Sequence, residues 1–452
     1  MTSYNKVYFI GIGGIGMSAI ARYYKLKGFE VSGYDLTPSP LTAKLQEEGI
    51  AIHYEDDCSF IPTDVESTLV VYTPAIPETM GELVWVREHG YRVIKRSQIL
   101  GEITRGQNCL AVAGTHGKTT TSTLVAHILT ESGDGCSAFL GGISNNYHSN
   151  LLVSDKPTVV AEADEFDRSF LQLHPDITAI TAMDADHLDI YGDIAHVREA
   201  FRQYASQVKE VLIIKKGLPL THEDTRAKIF TYAFNDPAAD FHAENMKLDD
   251  AGHYTYDLAY PAGLLRDIRV GTLGWVNVEN SIAAAAICLC YGVDGQKVRH
   301  AIGTYKGAAR RLDERVNTPK ITYIDDYAHH PAELSAAISS IREMFPGRKI
   351  TAVFQPHLYT RTRDFAAEFA EALSAVDKLI LLDIYPAREL PIPGVTSEII
   401  FKDVTAPAKE MITRDKLMEK LEGEDIDVLV TFGAGNIDRF VEPISEMLRK
   451  RI

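Results

Sequence analysis

The sequence predicts an α/β fold in three domains, each built on a mostly parallel sheet. Short Val/Ile-rich runs alternate with amphipathic helical stretches along the chain, the alternation that β-α-β units produce. Two glycine-rich segments, "GIGGIG" at 11–16 and "GTHGKT" at 114–119, each follow an apolar run and precede a helical pattern. Phosphate-binding loops occupy that position. The 452 residues suffice for two to four domains, and no solenoid-length repeat or low-complexity tract interrupts them.

In chain order, "KVYFIGIGG" reads as a strand, "MSAIARYYKLKG" as a helix and "EVSGYD" as the next strand. "STLVVYTPAI" and "YRVIKRS" continue the alternation, and the polar "GEITRGQN" at 101–108 reads as a link. After "CLAVAGTHGKTT" come strands at "PTVVAEAD", "ITAITAMD" and "VLIIKK". Residues 220–270 are less regular, with "HYTYDLAY" suggesting an antiparallel appendage before the helix "VENSIAAAAICLCYG". A third unit starts near "RVNTPKITYIDDYAHH", with strands at "ITYIDDY", "KITAVFQP", "KLILLDIY" and "IDVLVTFGAG". The expected domains are 1–106, 107–314 and 315–452.

Composition narrows the function. Apolar content of 45% and charged content of 24% are those of an ordinary globular protein. A net charge of −16 argues against nucleic acid as a main partner, because phosphate backbones demand clustered Lys and Arg. Nucleotides need only a local cationic site. The five cysteines form no zinc-like spacing and fit a reducing compartment. No apolar run is long enough to span a membrane, and the N-terminus enters a strand without signal-peptide architecture. The expected location is cytoplasmic, with no membrane insertion.

Gly11, Gly13 and Gly16 satisfy G-x-G-x-x-G, with Gly14 and Ile15 inside the motif, and Asp35 ends the next strand. A Rossmann-like domain places its ribose-binding acid there. The motif specifies a diphosphate, because glycine lets backbone N–H groups approach closely. It does not specify nicotinamide, and a UDP-sugar fits as well. A tight strand–helix turn without a ligand is the bland alternative.

"GTHGKTTT" is a compressed phosphate loop. Gly114 and Gly117 free the backbone, Lys118 can reach β/γ-phosphates and Thr119 offers a hydroxyl to Mg2+. Thr115, His116 and Thr120 complete the loop. A triphosphate with Mg2+ also needs a carboxylate at a neighbouring strand end, and Glu162 in "PTVVAEADEFDRSF" has that position. Asp164, Glu165 and Asp167 behind it read as a solvated acidic turn. His187, between Asp186 and Asp189, is structural or a metal ligand; as a ligand it implies a second site that Mn2+ would also fill.

Seven segments resemble the Mur ligases of peptidoglycan synthesis, in the same order: "GTHGKTTT", "EADEFDRSF", "DADHLDIYG", "NVENSIAAAA", "GAARRLDE", "DDYAHHPAE" and "FQPHLYTRTRD". With the N-terminal "GIGGIGMSAIA", the chain looks like the branch that adds L-alanine to UDP-N-acetylmuramate. The resemblance implies a Rossmann-like N-terminal domain for the UDP-sugar, a central P-loop ATPase and a Rossmann-like C-terminal domain for the amino acid. The first loop would hold the UDP handle and the second the reacting ATP. Lys118 and two metals on Thr119, Glu162 and His187 would neutralise the phosphates. Arg310 and Arg311 are candidates for a γ-phosphate clamp, Arg311 preferred. Asn277 and Asn280 would lie near adenine. Asp326, His329, His330, His357 and Arg361 would receive the amino acid and acyl phosphate, Arg361 first among them. Gly433-Ala434-Gly435-Asn436 resembles a family turn that packing alone also explains.

There are departures from the family pattern. Val276 stands where the family commonly has His. Several sister ligases use a carbamylated lysine after the D-H motif, and residues 190–208 contain no lysine. A tripeptide-adding recycling ligase would share the ATPase motifs. Folylpolyglutamate synthases lack the leading glycine-loop domain. A dehydrogenase would leave Lys118 unexplained, and a nucleotide-binding regulator would not need Glu162, His187 and Arg361 together.

Overall fold

A computed structural model describes residues 4–184, 188–387 and 389–452, and the side chains of Leu188 and Asp189 are outside that description. The fold is α/β in three domains, each with its own sheet. Strands β1 Lys6–Ile10, β2 Glu30–Tyr34, β3 Ala51–His53, β4 Thr68–Tyr72 and β5 Arg92–Lys95 form the first, in order β3-β2-β1-β4-β5 and parallel throughout. This is the dinucleotide-fold order.

The central sheet contains β6 Asn108–Ala113, β7 Ser137–Ser144, β8 Ser149–Leu152, β9 Thr158–Ala163, β10 Ile177–Ile180, β11 Val211–Lys215, β12 Lys228–Ala233, β13 Phe241–Leu248, β14 His253–Tyr260 and β15 Gly263–Leu273. Their order is β15-β14-β13-β12-β11-β10-β6-β9-β7-β8. The third sheet runs β16-β17-β21-β18-β19-β20, from β16 Asp313–Asn317, β17 Thr322–Asp326, β18 Ile350–Phe354, β19 Lys378–Leu381, β20 Ala408–Met411 and β21 Val428–Phe432. Only its β16 edge is antiparallel.

Several expectations change. Residues 101–104, read as a link, complete the helix Arg96–Thr104. The first strands after residue 220 extend the parallel sheet, because β12 pairs parallel with both β11 and β13. Strands β3, β7, β8, β16 and β20 had no counterpart among the expected strands.

By compactness the chain forms two units: residues 1–243, 258–265 and 280–302, and residues 244–257, 266–279 and 303–452. Within the first, one apolar core runs from Val7 and Phe9 of β1 through Phe139 of β7 to Phe170 and Tyr204. Helix Ile15–Leu26, which follows the first glycine loop, packs toward β7 and β8. The fully buried Asn150 of β8 donates to the Ile15 carbonyl at 2.6 Å and to Ser18 Oγ at 2.9 Å. Arg22 of that helix reaches Ser149 Oγ at 2.9 Å. These bonds fix the first loop against the central sheet. Asn150→Ala would leave buried acceptors unsatisfied, so a loss of about 1–3 kcal/mol is expected in urea unfolding. A change within error would show that Asn150 does not hold the two domains together.

Candidate functional site

The second glycine loop leaves β6 and enters helix Lys118–Glu131. Gly114 has φ +133°, and a Cβ there would stand 2.2 Å from Thr181 Oγ1 and 2.8 Å from the Ala182 nitrogen. Gly117 has φ +81°, and its Cβ would meet Asn280 Oδ1 at 2.8 Å. The loop is therefore a backbone cradle packed so closely that side chains are excluded. Among the described residues no side chain caps the helix, and its positive end suits an anion.

Lys118 Nζ donates to the Gly114 carbonyl at 2.7 Å and to both Glu165 oxygens, at 2.9 and 2.7 Å. Burial alone would lower the Lys118 pKa. The carboxylates of Glu165, Asp164 and Glu162 outweigh it and hold the ammonium above its ordinary range. The acidic turn is thus not a solvated one. Glu165 is 1% exposed, Asp164 accepts from Arg96 at 3.1 Å and Asp167 pairs with Lys95 at 2.7 Å. No sequence signal separated Glu165 from its neighbours, since burial here depends on where the turn lands.

Glu162 is next to last in β9, opposite Val112 of β6. Its carboxylate lies over Gly141 of β7, where a Cβ would come within 2.2 Å of Oε2. The Thr119 hydroxyl has no protein partner among the described residues. Thr115 Oγ1 accepts the Asp184 N–H at 3.2 Å, and His116 Nε2 is 3.4 Å from Asp184 Oδ2. Thr120 is buried in the first helical turn. Asn280 accepts from Thr121 at 3.3 Å and thus packs on the loop, whereas Asn277, one turn earlier, donates to the Leu273 carbonyl at 2.8 Å. His187 and Asp186 lie outside the described residues. Among those described, no three His, Cys, Asp or Glu side chains form a metal cluster. A hydroxyl, one carboxylate and an anion cradle fit Mg2+ that is held jointly with phosphates.

In the first loop the Gly13 N–H donates to Asp35 Oδ2 at 2.7 Å, and Gly13 leaves just enough room for that carboxylate. Asp35 thus braces the loop itself. Gly11 turns at φ +87°, Gly14 precedes helix Ile15–Leu26, and a Cβ on Gly16 would stand 2.6 Å from Arg96 Nη1. A cleft of about 100 Å³ is lined by Ile15, Gly16, Arg96, Gly141, Glu162 and Asp164. It joins the first loop to the carboxylates of the second. A larger cavity of about 490 Å³ borders Tyr72, Arg87, Lys95 and Arg168 at the rim of the first sheet.

The second unit gathers the remaining candidates at the carboxyl ends of β17, β18 and β21. Asp326 ends β17, its carboxylate accepting from the Leu312 N–H at 2.6 Å and the Ala328 N–H at 2.7 Å. Burial pushes it up to about 6, against the pull of those N–H groups and Arg311. Arg310 is tied to Asp325 at 3.0 Å and to the Gly433 carbonyl, which makes it structural. Arg311 lies over the Tyr327 ring at 4.9 Å with no hydrogen-bond acceptor among the described residues. The His329 and His330 N–H groups both donate to Glu333, at 3.0 and 3.2 Å. His357 is 6.0 Å from His329, ring to ring, and stacks on Tyr385 at 5.8 Å. Arg361, in helix Tyr359–Asp364, is half-buried, also with no acceptor for its guanidinium among the described residues. Gly433 and Gly435 abut Gln355, which bridges to Asn436 at 2.9 Å, so this turn is a packing feature.

Three family models match the chain: the Mur ligase family catalytic domain over 6–108, the Mur ligase middle domain over 112–288, and the Mur ligase glutamate ligase domain over 310–435. The chain belongs to the Mur ligase family. Among curated Mur ligases it is 50% identical to the UDP-N-acetylmuramate–L-alanine ligase of Porphyromonas gingivalis, over 98% of this chain and 99% of that one. Against the Parabacteroides distasonis enzyme of the same name it is 50% identical, over 99% and 98%. The crystal structure of UDP-N-acetylmuramate-alanine ligase from Thermotoga maritima superposes with a TM-score of 0.84 at 26% identity, covering 99% of this chain and 100% of that one. A murein peptide ligase from Psychrobacter arcticus shares the fold at TM-score 0.71 and 20% identity, covering 98% of both chains.

Two outcomes follow from this geometry. Gly141→Ala would displace the Glu162 carboxylate; turnover should fall at least about tenfold, with stability reduced by about 1–3 kcal/mol. Unchanged turnover would show that Glu162 tolerates displacement. An acid raised on folding binds its proton more tightly in the native state. Asp326 should therefore withdraw about 2–3 kcal/mol of stability as pH rises from about 4 through about 6. Urea unfolding across that window should show this loss in the wild type and not in Asp326→Asn; equal slopes would sink the assignment.

Proposed function

We propose that the chain ligates L-alanine to the lactyl carboxylate of UDP-N-acetylmuramate at the expense of ATP, giving UDP-N-acetylmuramoyl-L-alanine, ADP and phosphate for peptidoglycan. The cleft from Gly16 to Glu162 carries this reading, since an acceptor held by its UDP group at the first loop reaches the second loop through it. We assign the acceptor to residues 1–106, ATP to 107–314 and the amino acid to 315–452.

A carboxylate does not couple to an amine directly, because oxide is a poor leaving group. The lactyl carboxylate oxygen attacks the γ-phosphorus and ADP departs, leaving an acyl phosphate. The alanine amine attacks the acyl carbon, loses a proton, and phosphate leaves. Negative charge accumulates in both steps, so positioning and preorganised cations supply the catalysis. Lys118 would hold the β/γ-phosphates against the Gly114–Thr119 backbone, and Asn280 would border the base. Arg311 would clamp the γ-phosphate, and Arg361, whose guanidinium has no acceptor among the described residues, would take the alanine carboxylate or the acyl phosphate. Asp326, His329, His330 and His357, which lie at or just beyond the carboxyl ends of β17 and β18, would contribute to the same region. Thr119, Glu162 and His187 would hold Mg2+ at two sites that Mn2+ would also fill; the metal's chemistry is to neutralise phosphate charge. The place of action is the cytoplasm.

The deciding assay is ADP release with ATP, Mg2+ and UDP-N-acetylmuramate, comparing L-alanine with the murein tripeptide. Release that depends on L-alanine is expected, and release with the tripeptide alone would move the protein to recycling. Lys118→Ala should abolish turnover while calorimetry shows UDP-sugar affinity within about twofold of wild type. Arg361→Ala should raise the KM for L-alanine by about 10–100-fold, the worth of one charge-assisted contact. A rise confined to the KM for ATP would reassign Arg361.

A further inference from the structure

Glu165 takes no part in the reaction described above, yet it holds the residue on which ATP binding turns. An ammonium has three N–H donors, and all three of Lys118's are engaged: two by Glu165 and one by the Gly114 carbonyl. Lys118 also opens its helix, at the positive end of the helix dipole, where a cation without an anion is disfavoured. The backbone of Glu165 is fixed, its carbonyl accepting from Tyr191 Oη at 2.6 Å and from the Arg168 N–H at 2.9 Å. A phosphate arriving at the loop seeks the same N–H groups and the same dipole.

We propose that Glu165 is a positioning residue that competes with nucleotide phosphates for Lys118. In the nucleotide-free enzyme it holds the ammonium against Gly114. When the nucleotide binds, at least one N–H passes from Glu165 to a phosphate oxygen, and the pair re-forms as ADP leaves. With the carboxylate anchored through its backbone, the hand-over is a movement of the lysine side chain. Glu165 thus weakens nucleotide affinity and speeds product release. This rests on the reading that the 114–119 loop binds ATP.

The test is an ADP titration by calorimetry on the full chain, for the wild type, Lys118→Ala, Glu165→Gln and Glu165→Asp, with melting curves and kcat alongside. Glu165→Gln keeps the size and removes the charge. It should bind ADP about five- to tenfold more tightly, because more of the protein is competent to bind, and it should melt lower without ADP and recover with it. Its kcat should fall as ADP release slows. Glu165→Asp, too short to engage two N–H groups, should bind ADP about two- to threefold more tightly and keep more of the wild-type kcat. Recovery of Glu165→Gln only in the presence of ADP would support the competition. Should it fail to fold with or without ADP, the decision passes to Glu165→Asp. ADP affinity equal to or weaker than wild type in the folded variants would overturn it. Equal ADP affinity in the wild type and Lys118→Ala would instead overturn the loop's role as the nucleotide site.

Discussion

Lys118 is nearly buried and begins a helix whose first-turn N–H groups already carry positive partial charge, so its ammonium requires a negative partner at close range. That partner comes from β9. The parallel register of β6 and β9 sets Glu162 opposite Val112 at the strand end, and three residues later the chain delivers Glu165 beneath the loop. The same turn then directs Asp164 to Arg96 and Asp167 to Lys95. Both cations belong to the first domain. One acidic turn therefore balances the phosphate loop on one side and ties down the N-terminal domain on the other.

The two glycine loops solve different problems. In the second, the close approach of Thr181 and Asn280 explains why Gly114 and Gly117 carry no side chain, and the cradle stays open at the helix end. In the first, one of the N–H groups that would face a diphosphate is already held by Asp35. Asp35 thus fixes the loop's shape, and a ligand there would draw on the remaining backbone and on the residues along the cleft toward Glu162. Glycine matters again at Gly141, where, as at Gly13, it makes space for a carboxylate.

Strands of the sheet interiors were legible because parallel strands buried on both faces read as unbroken apolar runs, such as "LVVY" and "VLIIK". The missed strands lie at or near edges and lack that signature: "DERVN" of β16 and "AKEM" of β20 are charged, and "SAFLGGIS" of β7 contains paired glycines. In the site, Lys118, Thr119 and Glu162 were legible from loop chemistry and strand-end position. Glu165 was not. Four acids within six residues look alike in sequence, and only the tertiary placement of Lys118 selects which of them is buried.

Arg310 and Arg311 are adjacent in sequence and opposite in circumstance. Among the half-buried arginines of the second unit, Arg310, Arg315, Arg342 and Arg348 each have a carboxylate, and Arg451 has carbonyl acceptors. Arg311 and Arg361 have neither among the described residues. In a chain of net charge −16, acceptors are abundant, so two partly desolvated guanidiniums without one represent unspent electrostatic energy. A guanidinium held in place by Tyr327, or by a short helix after β18, needs no reorganisation when an anion arrives. Phosphate and amino-acid carboxylate are the anions that the proposed reaction brings. The pairing of the neighbouring arginines is what sets these two apart: charges already neutralised within the protein hold the scaffold, and those left over would be the ones to meet an anionic substrate.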